Sequence, residues 1–137
     1  MIFSSNTEIK IPFFDLDPMN VVWHGNYIKY MEIARCDLFS KIGYTYADML
    51  KDNLIYPVVK METKFIQPMT FEQEIIIKTE LLETEPALII KYAFFDKVTN
   101  KKLFSAKTMQ MACNSITHES QYQAPAGLIE SIKRVKK

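Results

Sequence analysis

Cysteine and histidine are scarce in this chain. Its 137 residues include two of each. Cys36 and Cys113 have neither the spacing of a zinc site nor that of a redox pair, and both are expected to be reduced and partly buried. His24 and His118 leave no evident Ser-His-Asp arrangement. Net charge is nearly lacking too. The 17 basic and 16 acidic side chains give a formal +1, which excludes the polyelectrolyte signature of a nucleic-acid binder. The basic run from Lys133 to Lys137 reads as a solvated tail. No apolar run reaches membrane-span length, and the first residues carry neither the charged region nor the apolar segment of an export signal. The cytoplasm is therefore the expected compartment, with no membrane and no nucleic acid among the partners. Internal repeats, linkers and low-complexity segments are absent as well. What remains is 48% hydrophobic, enough for a real core in one domain over residues 1–137.

Of the three glycines, Gly25 and Gly43 bracket one segment. Between them Tyr27, Met31, Ala34, Leu38 and Ile42 recur at three- and four-residue steps. This predicts an amphipathic helix of about five turns, with Gly43 where a C-terminal cap belongs. Ile28, Tyr30, Ile33 and Phe39 widen the apolar stripe, so the helix is expected to be wrapped by other elements. A short second helix is predicted over Tyr46 to Lys51. Strand periodicity takes over from Leu54. The expected strands are Ile55 to Phe65 with a break or bend at Pro57, Glu74 to Leu82, Ala87 to Phe95, and Lys102 to Ala112. The last places Leu103, Ser105, Lys107, Met109 and Met111 on one face. Phe104, Ala106, Thr108, Gln110 and Ala112 lie on the other. Lys97 to Lys101 reads as a hairpin loop. A strand over Glu8 to Phe14 precedes the long helix, and a weak helix follows Pro125. The order β-α-β-β-β-β belongs to the α+β class, an antiparallel sheet of five strands wrapped around one long helix. Runs such as Ile75-Ile76-Ile77 and Leu88-Ile89-Ile90 make strands apolar on both faces. One face then needs a partner, so a dimer or higher oligomer is expected.

The chemically telling stretch runs from Phe13 to Tyr27. It begins as an apolar strand, carries Asp15 and Asp17, breaks at Pro18 and enters the helical pattern near Gly25. Asp17, at the mouth of a strand–loop–helix junction, would face the positive end of a helix dipole. The N–H groups there lack intrahelical partners and can hold a developing negative charge. A carboxylate so placed is equipped to cleave an acyl bond without a metal, a serine or a cofactor. The plainer reading of Asp17 is a loop residue or helix cap, because Asp-Pro is an ordinary turn.

The segments Asp15-Leu-Asp17, Pro18-Met-Asn20, Val21-Val-Trp23, His24-Gly-Asn-Tyr27 and Tyr30-Met-Glu-Ile-Ala-Arg35 resemble the signature of one family. It is the hotdog-fold thioesterases of the 4-hydroxybenzoyl-CoA thioesterase type, close to the short-chain acyl-CoA thioesterases associated with the Tol–Pal system. The resemblance is dense over residues 13 to 35, and the downstream strand order fits it. It implies a hotdog fold, a homodimer or homotetramer, and active sites at the dimer interface. It also implies hydrolysis of an acyl or aroyl thioester of CoA or acyl carrier protein, with no metal and no cofactor. Asp17 would be the nucleophile or the general base. A backbone N–H at His24, seven residues on, with Gly25 beside it, would stabilise the oxyanion. The His24 side chain would orient water or the acyl group. Asp15 would shape the turn, and Asn26 and Tyr27 would fix the helix start. Met19, Trp23, Phe65 and Tyr56 would line an acyl channel or belong to the core. Glu32 and Arg35 are spaced for an ion pair.

Two features depart from the family pattern. Met19-Asn20 replaces a small-residue turn usually ending in Gly, although Asn tolerates the positive φ such a turn needs. The join Glu83-Thr-Glu-Pro86, where some relatives hold CoA phosphates with basic residues, is acidic here. Two other functions compete. One is a non-catalytic hotdog module that binds acyl thioesters. The other is a hydratase or dehydratase, which would need His24 and Asp17 aimed at the acyl α and β carbons.

Overall fold

A computed structural model describes residues 1–136. In chain order the elements are β1 (Phe3–Lys10), a 3₁₀ turn (Phe13–Asp15), α1 (His24–Ile42), α2 (Tyr46–Lys51), β2 (Leu54–Ile55) and β3 (Val58–Phe65). They continue with β4 (Glu74–Glu83), β5 (Leu88–Asp96), β6 (Lys102–Gln110), β7 (Ala112–Asn114), β8 (Ser120–Gln121) and α3 (Ala126–Val135). Five strands form one antiparallel sheet in the order β1-β4-β5-β6-β3, and β2-β7-β8 form a second, three-stranded sheet. α1 lies on the five-stranded sheet, the hotdog arrangement that the sequence predicts. Among the described residues no helix is long and apolar enough to cross a membrane.

The periodicities explain the packing. Tyr27, Met31, Ala34, Leu38 and Ile42 are all buried on α1. The sheet meets them with Ile75, Ile77 and Leu81 from β4, Leu88, Ile90, Tyr92 and Phe94 from β5, and Phe104 and Ala106 from β6, all buried. At the N-terminal end of α1 the Tyr27 ring sits 4.8 Å from Phe104, 4.9 Å from Phe65 and 6.1 Å from Phe94. Aromatic pairs at such separations add to the area they bury. Gly43 ends the helix at φ +91° and its N–H donates to the carbonyls of Phe39 and Ser40, the left-handed cap that only glycine adopts cheaply.

Several sequence expectations need correction. The first strand starts earlier than expected and ends at Lys10, because Pro12 offers no N–H to extend the ladder and the chain turns at Phe13–Asp15. The polar run Ser4-Ser-Asn-Thr7 hid its beginning, yet Phe3 to Lys10 pair residue by residue with Leu81 to Glu74. The strand expected over Ile55 to Phe65 is two strands in two sheets, parted at Pro57. The strand expected over Lys102 to Ala112 likewise parts at Met111, and its end joins the small sheet. Its core face is Phe104, Ala106, Thr108 and Gln110, as the alternation indicates, but Leu103 is buried as well. The helix after Pro125 is regular, with Leu128 and Ile132 buried. Lys133 and Arg134 therefore belong to its last turn rather than to a tail, and Lys137 lies outside the described residues. Ile28 and Ile33 are exposed, so α1 is covered over less of its circumference than the stripe implied. Cys36 is exposed rather than partly buried.

One edge of the main sheet stays open. Among the described residues β3 pairs only with β6, and all eight of its residues are exposed. Val58, Val59, Met61 and Phe65 are among them. Edges of this kind invite a further strand.

The core at mid-helix should govern stability. Leu38 is fully buried. Leu38→Ala is expected to cost about 2–5 kcal/mol, read as a lowered urea midpoint with an unchanged slope.

Candidate active site

The chain from Leu16 to Val22 is a tight loop closed by an isolated bridge between those two residues. The Asp17 N–H donates to the Val21 carbonyl at 2.8 Å, and the Asn20 N–H donates to the Asp17 carbonyl at 2.9 Å. Asn20 sits at φ +63°, the left-handed conformation that the missing glycine would otherwise supply. A second bridge, Val21 to Thr70, and the Val22 N–H bond to the Met69 carbonyl tie the loop to the segment before β4. Asp17 is half-buried. Its Oδ1 accepts the Met19 N–H at 2.8 Å, an Asx turn of the kind Asp favours. Among the described residues nothing hydrogen-bonds Oδ2.

Asp15, two residues earlier, is the anchor. Its residue is 4% exposed. Lys29 donates to Oδ1 and the Tyr30 hydroxyl donates to Oδ2, each at 2.6 Å. The Asp15 carbonyl accepts the Trp23 N–H at 3.1 Å and the Asn26 side-chain amide at 2.9 Å. One residue thus grips the first two turns of α1 through four donors. Burial alone would raise the Asp15 pKa. The hydrogen bonds from Lys29 and Tyr30, with the Lys29 charge, outweigh it and hold the carboxyl below its ordinary value. The Tyr30 hydroxyl is pushed up, first by burial and then by the Asp15 carboxylate. Asn26 therefore fixes the helix start by holding Asp15 rather than by capping.

The start of α1 has no side-chain cap and no acidic residue in its first turn. The Asn26 N–H returns to the Trp23 carbonyl at 2.9 Å. Among the described residues the N–H groups of His24 and Gly25 have no hydrogen-bond partner. They are the exposed positive end of the helix dipole. Trp23 lies across this end. A Cβ placed on Gly25 would come within 2.2 Å of the indole, so any side chain there would have to displace the ring. The His24 ring stands 5.2 Å from the indole.

Beside the helix start is an open, mainly apolar cleft of about 270 Å³, lined by Val21, Val22, His24, Tyr27 and the segment from Phe65 to Pro68. His24, Tyr27 and Phe65 meet there as expected. Asp17, Met19, Trp23, Gly25 and Asn26 stand outside its lining, in the loop and first helical turn next to it. Met19 is 76% exposed and does not line the cleft. Tyr56 is buried core. Glu32 and Arg35 form their ion pair, and the buried Arg35 also reaches the Tyr92 hydroxyl, a structural use. Sequence reasoning missed Lys29 and Tyr30 as partners of Asp15, since a contact across fourteen or fifteen residues leaves no local spacing to read.

The Asp15 clamp makes a pH-dependent prediction. A carboxyl whose folded pKa is depressed stabilises the fold above its unfolded pKa, and that contribution disappears as pH falls through the folded value. Asp15→Asn should cost about 1–3 kcal/mol at pH 7, toward the low end because Lys29 is partly exposed. The gap from the parent should close below about pH 3.9. Urea unfolding of both proteins across that range measures it.

Known proteins share this fold. The profile of the thioesterase-like superfamily matches residues 11–132. YneP of Bacillus subtilis, provisionally named an acyl-CoA thioesterase, is 31% identical over 75 residues, covering 55% of this chain and 54% of YneP. The chain thus matches about half the length, or less, of the first curated relatives. A crystal structure of a DHNA-CoA thioesterase from Staphylococcus aureus superposes with a TM-score of 0.86 at 26% identity, over 97% of this chain and 91% of that one. A mutant 4-hydroxybenzoyl-CoA thioesterase complexed with 4-hydroxybenzoyl-CoA superposes with a TM-score of 0.82 at 18% identity, over 94% of this chain and 98% of that one, a likeness of fold. With its profile matched from the first helical approach to the last helix, this chain belongs to the thioesterase-like superfamily.

Proposed function

We propose that this protein is a thioester hydrolase, a cytoplasmic enzyme of one domain over residues 1–137. Its substrate is an acyl or aroyl thioester of CoA or of an acyl carrier protein, and water is the second substrate. One observation carries the reading. The half-buried Asp17 carboxylate keeps one oxygen without a hydrogen bond, in a loop clamped to an uncapped helix start that borders an apolar cleft. Names given to relatives such as YneP support the same reaction class.

In this reading the acyl group lies in the cleft against Tyr27 and Phe65, and the thioester carbonyl oxygen points at the N–H groups of His24 and Gly25. Asp17 acts at the carbonyl carbon, either directly or on a water. As a base, it takes a proton from water and the hydroxide adds to the carbon. The C=O electron pair moves to oxygen, where the two N–H donors hold it. Collapse breaks the C–S bond, and the thiolate takes the proton back from Asp17. As a nucleophile, Asp17 displaces the thiolate itself, and water then opens the mixed anhydride. Both routes need the same placement. A preorganised backbone donor is worth about 10²–10³ in rate. The His24 side chain, at the lip of the cleft, would orient water or the acyl group, and Trp23 would cover the thioester from the solvent side.

The open edge of β3 and its exposed Val58, Val59 and Met61 support an oligomer, a homodimer or homotetramer, joined along that edge. Light scattering at micromolar concentration should give a multiple of the 16.0 kDa chain mass. A stable, active monomer would remove the interface from the proposal.

Asp17→Asn preserves shape and removes both nucleophile and base. Thioester turnover should fall by about a hundredfold or more, with little change in the unfolding curve. It is measured by thiol release from acyl-CoA and acyl-carrier-protein thioesters. Turnover within about threefold of the parent would refute the site.

A further inference from the structure

The face of the main sheet turned away from α1 carries a second depression, larger than the cleft, of about 600 Å³. Lys64 of β3, Lys91 of β5, and Lys102 and Lys107 of β6 line it, with Ser105 beside them. The register explains the convergence: Lys91 stands directly opposite Lys107, and Lys64 opposite Ser105. Like charges directly opposite on neighbouring strands are destabilising. A carboxylate flanks the pair on each side, Glu80 of β4 opposite Lys91 and Glu62 of β3 opposite Lys107, but each forms its ion pair elsewhere. Glu62, the one acidic residue in the lining, pairs with Lys60 at 3.2 Å, and Glu80 pairs with Lys78 at 3.5 Å. Among the described residues none of the four groove lysines makes an ion pair. The lining sets four lysines against one glutamate, a local excess of positive charge in a chain of formal charge +1.

We propose that this groove binds the phosphate groups of a nucleotide. Ammonium groups and the Ser105 hydroxyl on a concavity of this size are donors suited to phosphate oxygens. Two sources share that chemistry: the 3′-phosphorylated ADP end of a CoA thioester, and a free nucleotide. Only the first rests on the thioesterase reading. For it the groove is well placed. Lys64 faces the groove while the next residue, Phe65, lines the cleft. Lys102 adjoins Leu103, whose carbonyl accepts the N–H groups of Ile66 and Gln67 at the lip of the cleft. A pantetheine arm passing over that end of β3 and β6 would join the two. The groove would then supply the phosphate contacts that the acidic Glu83–Pro86 join does not.

The test is direct binding, with no hydrolysis involved. Adenosine 3′,5′-bisphosphate and ADP are titrated into the parent, into Lys91→Gln/Lys107→Gln, and into Lys10→Gln/Lys51→Gln as a charge-matched control. The parent should bind at least one nucleotide with Kd below about 1 mM at physiological ionic strength, more weakly as salt rises. The groove variant should lose about tenfold, and the control should match the parent. The two lysines are exposed and each faces one like and one opposite charge across the strands, so the groove variant should keep a cooperative thermal transition close to the parent's, which separates lost binding from lost folding. If CoA is the source, the bisphosphate binds better than ADP, and the groove variant raises KM for an acyl-CoA about tenfold. Its kcat, and turnover of the matching acyl-pantetheine, stay unchanged. If the source is a free nucleotide, ADP binds equally well and acyl-CoA kinetics do not move. No binding to the parent, or equal binding by the groove variant, overturns the proposal. Failure to hydrolyse any thioester would overturn the enzyme reading and leave the binding result standing.

Discussion

Asp15 is held where the sheet gives way to the long helix, and the candidate site takes its shape from that clamp. Its carboxylate accepts from Lys29 and Tyr30, and its carbonyl accepts from Trp23 and Asn26. Because all four donors come from the start of α1, the loop that follows Asp15 cannot drift from the helix end. A buried carboxylate without such partners would be costly. With them it becomes a rigid joint. Asp17 lies two residues beyond, on a loop with its own internal bonds, so its position is inherited from the joint.

Rigidity on one side is matched by unfilled groups on the other. α1 starts with no side-chain cap, and the Trp23 indole lies over Gly25 in the space a Cβ would fill. Leaving helix N–H groups uncapped forgoes about 1 kcal/mol of stability. The same N–H groups, beside an apolar cleft, are the kind of donors that can stabilise charge developing on an acyl oxygen. In the proposed reading, stability and chemistry make opposite demands on these two residues.

Much of the fold was legible because it rests on local periodicity. The three- and four-residue steps from Tyr27 to Ile42 gave the helix and its buried face, and Gly43 gave its end. The alternation in Glu74 to Leu82 gave a strand within a residue of its limits. Where the reading failed, a non-local partner decided. Ser4 to Thr7 form a strand only because β4 lies alongside, and Met111 divides two strands because they join different sheets. The same holds at the site. The turn after Asp17 and the left-handed Asn20 could be read from turn chemistry. The contacts of Asp15 with Lys29 and Tyr30 could not, nor could the gathering of Lys64, Lys91, Lys102 and Lys107 on one face, which depends on the register of three strands.

The account stands or falls on whether a thioester carbonyl meets the start of α1. Amide NMR resolves this without turnover. The protein is titrated with a non-hydrolysable acyl-CoA analogue that keeps the carbonyl, and each backbone N–H is followed. The His24 and Gly25 amide protons should move downfield as they gain an acceptor, with smaller changes in residues 17–27 and 65–68, and in the lysine groove where that groove takes the CoA phosphates. If saturating analogue leaves both amides unmoved while other amides shift, the carbonyl binds elsewhere and the proposed site is wrong.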